Sequence, residues 1–192
     1  MSRSQARTDA FLELLQPLQR PLEIYCRRML RNRSLVEDVI QSALAAAYAR
    51  FDPGMEAAGF KPWIYRFVTL EVFNRNRKHE PIVDGELVSD TPGHESECGA
   101  AAEAAYAALL DDPDAVLEYF DEVVACALVQ LAPYERVVIL LRSIGGFSYA
   151  EIQELLSIPL GSVMGYLARA RKRLRTALAD YATQRGLIRK TL

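Results

Sequence analysis

The chain contains 192 residues, of which 51% are hydrophobic and 25% are charged, and its formal net charge is -2. This composition is typical of a globular protein and excludes a low-complexity or intrinsically disordered chain. No apolar run approaches the ~20 residues that span a bilayer, and the N-terminus lacks the apolar core of a signal peptide. We therefore expect a cytoplasmic protein without membrane insertion.

Apolar residues recur at helical spacing in nearly every segment, and no stretch alternates convincingly at the two-residue period of a strand. The sequence therefore predicts an all-α fold of two small helical domains. The first helix is expected from about Thr8, with a bend around Pro17 and Pro21, because proline interrupts the hydrogen-bond ladder of a helix.

The second helix is predicted to begin at Ser34, where Glu37 would complete a capping box worth about 1 kcal/mol, and to end near Arg50. Its apolar face comprises Val36, Val39, Ile40, Ala43, Leu44 and Ala47. The exposed side carries Glu37, Asp38 and Gln41 near the helix N-terminus. Interaction of the two carboxylates with the helix dipole is by itself a sufficient explanation for that cluster.

A turn at Asp52-Pro53-Gly54 separates the second helix from a third, which has Pro62 near its first turn. The predicted core stripe of the third helix is Phe60, Trp63, Ile64, Phe67 and Val68. The same helix interleaves aromatic and basic side chains, the combination that single-stranded nucleic acid requires for base stacking and phosphate neutralisation. A core helix with a basic C-terminal end, which suits the dipole, is the alternative explanation.

Charge divides the chain into three blocks that the net value conceals. Residues 1–79 carry 13 basic residues (Lys and Arg) and 8 acidic ones (Asp and Glu). Residues 80–135 carry no basic residue and 14 acidic ones, and residues 136–192 carry 10 basic and 3 acidic residues. Two basic modules joined by an acidic segment suggest two polyanion-binding surfaces and a connector that avoids or imitates nucleic acid. We expect domains at 1–79 and 114–192, with an acidic, partly disordered linker at 80–113.

After the linker, Asp112-Pro113 is expected to start a helix. Its apolar residues Leu117, Phe120, Val124 and Leu128 are predicted to cover the C-terminal domain.

Residues 148–175 predict two short helices around a tight turn, the second of them strongly basic. Ser148 and Glu151 form a capping box at the start of the first helix, and the second helix starts beyond Pro159, which cannot continue a helix. The second helix has an apolar stripe of Leu160, Val163, Leu167, Ala170 and Leu174. This pattern is typical of a helix-turn-helix, which places a helix in a DNA groove. An ordinary helical hairpin with a solvated basic tail is the alternative.

The chemistry-bearing residues give no indication of a catalytic or metal site. Cys26, Cys98 and Cys126 form no C-x-x-C pair, and only two histidines are present. The spacing predicts neither a disulfide framework nor a metal site, so we expect buried or incidental thiols. The sequence shows no nucleophilic triad, no paired carboxylates in an apolar frame and no phosphate-binding glycine loop, so we expect no enzyme activity and no cofactor.

Three segments together resemble the bacterial RNA polymerase sigma factors of the extracytoplasmic-function type, which consist of sigma regions 2 and 4 only. SLVEDVIQSAL is similar to the family's A-E-D-x-x-Q-E segment. FKPWIYRF, with the later Asn74 and Arg77-Lys78, resembles the helix that melts and reads the minus-10 element. SYAEI, IPLGSV and RARKRLR resemble the signature of region 4.

The resemblance implies a promoter-specificity subunit that has no reaction of its own. Such a subunit binds core RNA polymerase at the β′ clamp and the β flap, binds promoter DNA, and directs transcription initiation at a dedicated set of promoters. The resemblance also implies an anti-sigma factor that clamps both regions until a signal arrives. The linker would thread the polymerase active-site and RNA-exit path; a solvated tether is the alternative.

The resemblance assigns residues to three surfaces. Core polymerase binding is assigned to Glu37, Asp38 and Gln41. Minus-10 DNA binding is assigned to Lys61, Trp63, Arg66, Asn74, Arg75, Arg77 and Lys78, with Trp63 as a structural anchor. Minus-35 DNA binding is assigned to Ser148, Ser162, Met164, Gly165, Ala168, Arg169, Arg171, Lys172 and Arg173.

The sequence departs from the family pattern at positions expected to face DNA. Thr69-Leu70 stands where relatives often carry Asn or Arg-Asn, and Gly165 and Tyr166 replace the usual Ser and Arg of the recognition helix. We therefore expect an unusual promoter preference. The alternative function is a sigma-like mimic or DNA-binding regulator that titrates an anti-sigma factor without reading promoters.

Overall fold

A computed structural model describes residues 3–79 and 123–184. All regular elements in these ranges are helical, which confirms the predicted fold class. Residues 3–79 and 133–169 form one compact unit, and residues 123–132 and 170–184 belong to a second. No helix in the two described ranges is long and apolar enough to cross a membrane.

The N-terminal range contains four α-helices and two 3₁₀ turns. In chain order they are α1 (Arg3–Leu15), a 3₁₀ turn (Gln16–Leu18), α2 (Gln19–Met29), a 3₁₀ turn (Arg33–Leu35), α3 (Val36–Ala49) and α4 (Ala57–His79). The predicted bend is confirmed, because Pro17 lies in the first 3₁₀ turn and Pro21 lies in the first turn of α2. The first helix begins earlier than the predicted Thr8.

The core of this range lies where α4 packs against α2 and α3. Its fully buried side chains include Leu22, Tyr25, Val39, Ala47, Phe60, Ile64, Tyr65, Val68 and Val72. The predicted core stripe of α4 is therefore correct for Phe60, Ile64 and Val68. Trp63 and Phe67 are only half-buried.

The predicted capping box at Ser34 is wrong. Asn32 lies in extended backbone, and its Oδ1 accepts hydrogen bonds from the backbone N–H and the hydroxyl of Ser34 at 3.0 and 2.8 Å. The Ser34 hydroxyl is thereby used as a donor, and α3 begins at Val36 without a side-chain cap. A local side-chain turn of this kind competes with helix capping, which explains the error.

The C-terminal range contains a helical stretch at 123–129, then α5 (Pro133–Ser143), α6 (Tyr149–Leu156) and α7 (Leu160–Gln184). The capping box at the start of α6 is confirmed. Ser148 Oγ accepts from the Glu151 N–H at 3.3 Å, and a Glu151 carboxylate oxygen accepts from the Ser148 N–H at 2.7 Å. Hydrogen bonding of its carboxylate to the side chain and the backbone N–H of Ser148 holds the pKa of Glu151 below its ordinary value. Ser157, with a φ of 54°, ends α6 two residues before Pro159.

The helix-turn-helix is built around a small apolar core. Its buried residues include Val137, Val138, Leu141, Ile152, Leu155, Val163 and Leu167. The predicted stripe of α7 is confirmed at Val163, Leu167 and Ala170. It is wrong at Leu160, which is exposed at the helix start.

Two glycines between α5 and α6 turn the chain so that Phe147 is buried. A Cβ at Gly145 would lie 2.5 Å from the Phe147 ring and 2.6 Å from the Leu141 carbonyl oxygen, closer than atoms can approach. Gly146 has a φ of 69°, in the left-handed region that favours glycine. Arg142 then donates to the Phe147 carbonyl oxygen at 2.9 Å. The turn therefore requires glycine at both positions.

The cysteine prediction is correct in part. Cys26 is a free thiol in the core, and burial raises its pKa to about 12. Cys126 is disulfide-bonded, so the expectation of a thiol is wrong there. Cys98, the linker at 80–113, Leu117 and Phe120 lie outside the described residues.

Candidate nucleic-acid interface

The three polar residues assigned to polymerase binding lie together on the exposed side of α3. Glu37, Asp38 and Gln41 are all exposed, and residues three and four positions apart are neighbours on a helix surface. The opposite side of α3 is buried through Val36, Val39 and other small apolar residues. Burial of that side fixes the direction in which the polar residues point.

The residues assigned to minus-10 binding divide into two groups on α4. Trp63, Arg66, Asn74 and Arg77 recur at helical spacing and so share one face, along which the last three are exposed. Leu70, 54% exposed, lies in the middle of the same face. The side chain of Lys78 lies outside the described part of the chain.

Lys61 and Arg75 lie on other sides of α4. Lys61 Nζ lies 5.1 Å from the ring centroid of Phe147, a cation–π contact with the residue that ends the glycine turn. Arg75 Nε lies 3.2 Å from Glu71 Oε1 on the same helix. The structure therefore does not bring these two cations to the stripe that carries Arg66 and Arg77.

Trp63 belongs to an aromatic cluster that supports the loop between α3 and α4. Its ring centroid lies 4.9 Å from that of Phe67, 5.7 Å from Phe60 and 6.3 Å from Phe51. Within the loop, Asp52 Oδ1 accepts from the Gly54 N–H at 3.1 Å. Trp63 therefore packs against the aromatic residues on both sides of the loop, and its role beside the minus-10 stripe stays a prediction.

Thr69 does not face solvent, so the expectation that it faces DNA is wrong. Its side chain is 2% exposed, and its hydroxyl donates to the Tyr65 carbonyl oxygen at 2.7 Å. The hydroxyl oxygen is therefore left to accept from the Tyr25 hydroxyl, 2.8 Å away. Burial raises the pKa of Tyr25 well above its ordinary value. This departure from the family pattern lies in the core.

The residues assigned to minus-35 binding lie on α7 and at the cap of α6. Met164, Ala168, Arg171, Lys172, Arg173 and Ser148 are exposed, whereas Ser162 and Gly165 are half-buried. A Cβ at Gly165 would make only ordinary contact with Arg169, at 3.5 Å, so the packing does not require glycine there. Most of the assigned side chains are therefore accessible to a ligand.

Arg169 and Tyr166 are held by residues of α5. Arg169 Nε lies 3.2 Å from Oε1 of Glu135, a carboxylate that is 3% exposed. The Arg169 guanidinium also lies over the Tyr166 ring at 4.9 Å. Tyr166 in turn stacks on Tyr134, with ring centroids 5.4 Å apart and an interplanar angle of 17°. Tyr166, the second departure from the family pattern, therefore packs against α5.

Comparison with known families decides the class of the protein. The family model for Sigma-70 region 2 matches residues 14–81, and the model for Sigma-70, region 4 matches residues 121–174. The ECF RNA polymerase sigma factor SigW of Bacillus subtilis is 31% identical over 172 residues, which are 90% of each chain. The chain belongs to the extracytoplasmic-function sigma factors. It is a sigma factor that directs transcription initiation, and it is not an enzyme.

More distant relatives agree with this assignment. The ECF RNA polymerase sigma-E factor of Escherichia coli is 26% identical over 142 residues, which are 71% of this chain and 70% of the relative. CnrH, solved in complex with the cytosolic domain of CnrY, superposes with a TM-score of 0.61 at 23% identity and covers 92% of this chain and 94% of CnrH. The sigma factor RpoE from Bartonella quintana, solved with the anti-sigma factor NepR, gives 0.58 at 20% identity, with 88% and 98% covered. These two superpositions show the shared fold.

Two residues of this sigma factor that contact the assigned cations were missed in the sequence. Phe147 contacts Lys61, and Glu135 contacts Arg169, across 86 and 34 positions of sequence. Helical periodicity reports only neighbours within a few positions, so it cannot indicate such pairs. The glycine pair before Phe147 is the one local indication that this aromatic residue is held in a specific place.

Proposed function

We propose that three helices of the sigma factor each bind a different target. The exposed face of α3 binds core polymerase through Glu37, Asp38 and Gln41. The stripe on α4 binds the minus-10 element as single strands, and α7 binds the minus-35 element as a duplex. The observation that carries this proposal is the separation of one acidic exposed helix face from two exposed basic ones.

The charges support different partners for these helices. Two carboxylates at the exposed start of α3 repel phosphate groups and suit a basic protein surface. Arg66 and Arg77 on α4 can neutralise phosphates while Trp63 and Phe67 stiffen the adjacent loop. The first turn of α6 and the exposed cations of α7 can make the phosphate contacts that orient a recognition helix on a duplex.

We also propose domain boundaries at 1–79, 80–113 and 114–192, with region 2 and region 4 as the outer domains. Two relatives with the same fold were solved with an anti-sigma factor or with the cytosolic domain of CnrY. By analogy, an anti-sigma factor binds this chain and prevents it from reaching polymerase. Capture of that partner from host lysate, followed by loss of run-off transcription when the purified partner is added, tests this part.

The roles of α3 and α7 are tested by a pair of substitutions with matched controls. Asp38→Ala should weaken core polymerase binding at least about tenfold, since a hydrogen-bonded interfacial charge contributes 2–5 kcal/mol. Its control is Glu13→Ala, an exposed acid on α1. Arg171→Ala should leave polymerase binding unchanged and lower the log–log salt slope of minus-35 duplex binding by about 0.9. Its control is Arg20→Ala on α2.

Polymerase affinity, duplex affinity and run-off transcription with purified core enzyme are measured for all four variants. We expect both Asp38→Ala and Arg171→Ala to reduce transcription, each through its own binding step. Exchange of the two effects would refute the assignment, and so would loss of transcription in either control.

A further inference from the structure

The Arg169 side chain extends back along α7 toward the N-terminus of the helix. Its guanidinium lies over the Tyr166 ring, 4.9 Å from the centroid, and its Nη1 would lie 3.5 Å from a Cβ added at Gly165. Residues 165 and 166 belong to the turn before Arg169, and long helical side chains generally lean in this direction. The positive charge of Arg169 therefore lies beside the turn that precedes its own Cα.

Two neighbouring residues of α5 support the guanidinium in this position. Arg169 Nε donates to Oε1 of Glu135 at 3.2 Å. The Tyr166 ring under the guanidinium stacks on the Tyr134 ring, with centroids 5.4 Å apart and an interplanar angle of 17°. Tyr134 and Glu135 both lie in the first turn of α5. One turn of α5 thus supports Arg169 through an ion pair and through a stacked pair of rings.

The two members of the ion pair differ in their access to solvent. The Glu135 side chain is 3% exposed, whereas the Arg169 side chain is 55% exposed. An exposed ion pair contributes little to stability, because two long side chains must be held in one geometry. Here burial already fixes the carboxylate. Glu135 is therefore a rigid acceptor, and Arg169 is the member that a ligand can reach.

The ion pair leaves suitable donors on Arg169 for DNA. The hydrogen bond to Glu135 uses Nε, and a guanidinium also carries N–H donors on its two terminal nitrogens. Paired N–H groups of this kind match the oxygen atoms of phosphate and the acceptors of base edges. The contact with Glu135 therefore orients the guanidinium without using the terminal nitrogens.

The position of Arg169 in α7 makes its orientation important. Residues 160–168 contain no Arg or Lys, so Arg169 is the first cation of the helix. The N-terminal part of a recognition helix is the part that contacts base edges. Because the side chain extends backward, its charge lies closer to that part than its position in the sequence indicates. Tyr166, where relatives usually carry Arg, provides the surface on which the guanidinium lies.

A side chain that is already fixed loses less conformational entropy when it binds than a mobile one does. We propose that Glu135 and Tyr166 are positioning residues, which fix the Arg169 guanidinium for its contact with the minus-35 duplex before the DNA arrives. This proposal rests on the role of α7 in minus-35 binding. It assigns a function to two residues that carry no cation themselves.

The charge of Glu135 separates positioning from simple electrostatics. A carboxylate beside the DNA-binding face repels phosphates of any sequence. If Glu135 acted only through its charge, Glu135→Gln would strengthen binding to every duplex. Loss of positioning instead weakens binding to the preferred duplex, so the two roles predict changes of opposite sign.

The test compares affinity for two duplexes, one selected for binding to the full chain and one scrambled sequence of the same length. The ratio of the two affinities does not depend on the folded fraction of a variant. Glu135→Gln and Tyr166→Ala should each lower this ratio about threefold, as expected when one long side chain must be immobilised on binding. Arg169→Ala should lower it further. In the Arg169→Ala background neither second substitution should change the ratio again, since the group they position is absent.

Two further variants serve as comparisons. Tyr166→Phe keeps the ring that stacks on Tyr134 and should recover the ratio lost in Tyr166→Ala. Glu154→Gln removes an exposed acid from α6 and should leave the ratio unchanged. A fall in the ratio with Glu154→Gln would show that any loss of negative charge has this effect, and would overturn the proposal.

A normal ratio in both Glu135→Gln and Tyr166→Ala would overturn the inference, and so would a rise in affinity for both duplexes in Glu135→Gln. Equal effects of these substitutions with and without Arg169 would show that they act elsewhere in the domain, which also overturns it. None of these results changes the salt slope expected for Arg171→Ala. Failure to select any preferred duplex would instead refute the role of α7 itself, so the two proposals fail separately.

Discussion

The exposed face of α3 and the surface shared by α4 and α6 differ in how their functional residues are held. Glu37, Asp38 and Gln41 point to solvent, whereas the Lys61 ammonium lies over the ring of Phe147, 5.1 Å from its centroid. If the proposed assignment holds, a substitution on the exposed face of α3 should change binding without changing packing. A substitution where α4 contacts the start of α6 should change the packing of both helices. The two surfaces therefore separate an expected effect on binding from an expected effect on stability.

The largest expected effect tests the packed side of this comparison. Phe147→Ala should lower the free energy of unfolding by about 3–5 kcal/mol, because it empties the site of a buried aromatic side chain, only 2% exposed. Asp38→Ala should lower it by no more than about 1 kcal/mol, because an exposed carboxylate in the first turn of α3 loses only its interaction with the helix dipole. Urea denaturation followed by circular dichroism measures both. Equal losses in the two variants would remove the distinction between the two surfaces.

A smaller loss in the free energy of unfolding is expected at the hydrogen-bonded hydroxyls of Thr69 and Tyr25 in region 2. Thr69→Val keeps the shape of the side chain but leaves the buried Tyr25 hydroxyl without its acceptor, at a cost of about 1–3 kcal/mol. Tyr25→Phe should recover part of this loss in the double variant, because both partners are then absent. Affinity for minus-10 single strands should be unchanged at equal folded fractions. A loss of DNA affinity with normal stability would show that Thr69 contacts DNA.

Tyr65→Phe should raise the free energy of unfolding, whereas Thr69→Val should lower it. It keeps the ring that packs on Phe147 and removes a buried hydroxyl that lacks a partner in the described structure, so unfolding should become harder by about 1 kcal/mol. Tyr149→Phe is the control for loss of a hydroxyl in the helix-turn-helix. Destabilisation by Tyr65→Phe would show that the hydroxyl is bonded after all.

The smallest effect concerns the cap of α6. Hydrogen bonds from Ser148 lower the pKa of Glu151 from 4.5, so the carboxylate stabilises the folded state above that pH. This contribution is lost as pH falls through the lower folded value. Glu151→Gln should flatten that part of the stability profile by less than about 1 kcal/mol. Equal acid profiles of the two proteins would contradict the role of the carboxylate.

Features set by neighbours in sequence were predicted best. The Ser148 box, the break at Pro159 and the bend at Pro17 each depend on a few consecutive residues, and all three are confirmed. Ser34 shows the limit of such reasoning, because the Asn32 side chain accepts hydrogen bonds from both the N–H and the hydroxyl of Ser34. Two local motifs competed, and the pattern alone did not decide between them.

Features set by distant residues could not be predicted. Thr69 is buried because Tyr25, 44 positions away, supplies its hydrogen bond. Leu160 has the spacing of a core residue but lies at the exposed start of α7. Tyr166 replaces the usual Arg of the family, and its partner Tyr134 lies on another helix. For Thr69 and Tyr166 a tertiary neighbour decides the role, and a single sequence does not name that neighbour.

Trp63, in its aromatic cluster, can serve as an intrinsic fluorescent probe. The chain has one tryptophan, and its half-buried indole lies among Phe51, Phe60 and Phe67 beside the loop after α3. Intrinsic fluorescence excited at the indole band therefore originates from region 2 alone. A base stacking near the loop would change the emission of Trp63, whereas an event confined to α7 would leave its spectrum unaltered. Titrations can follow one domain of the unlabelled chain in this way.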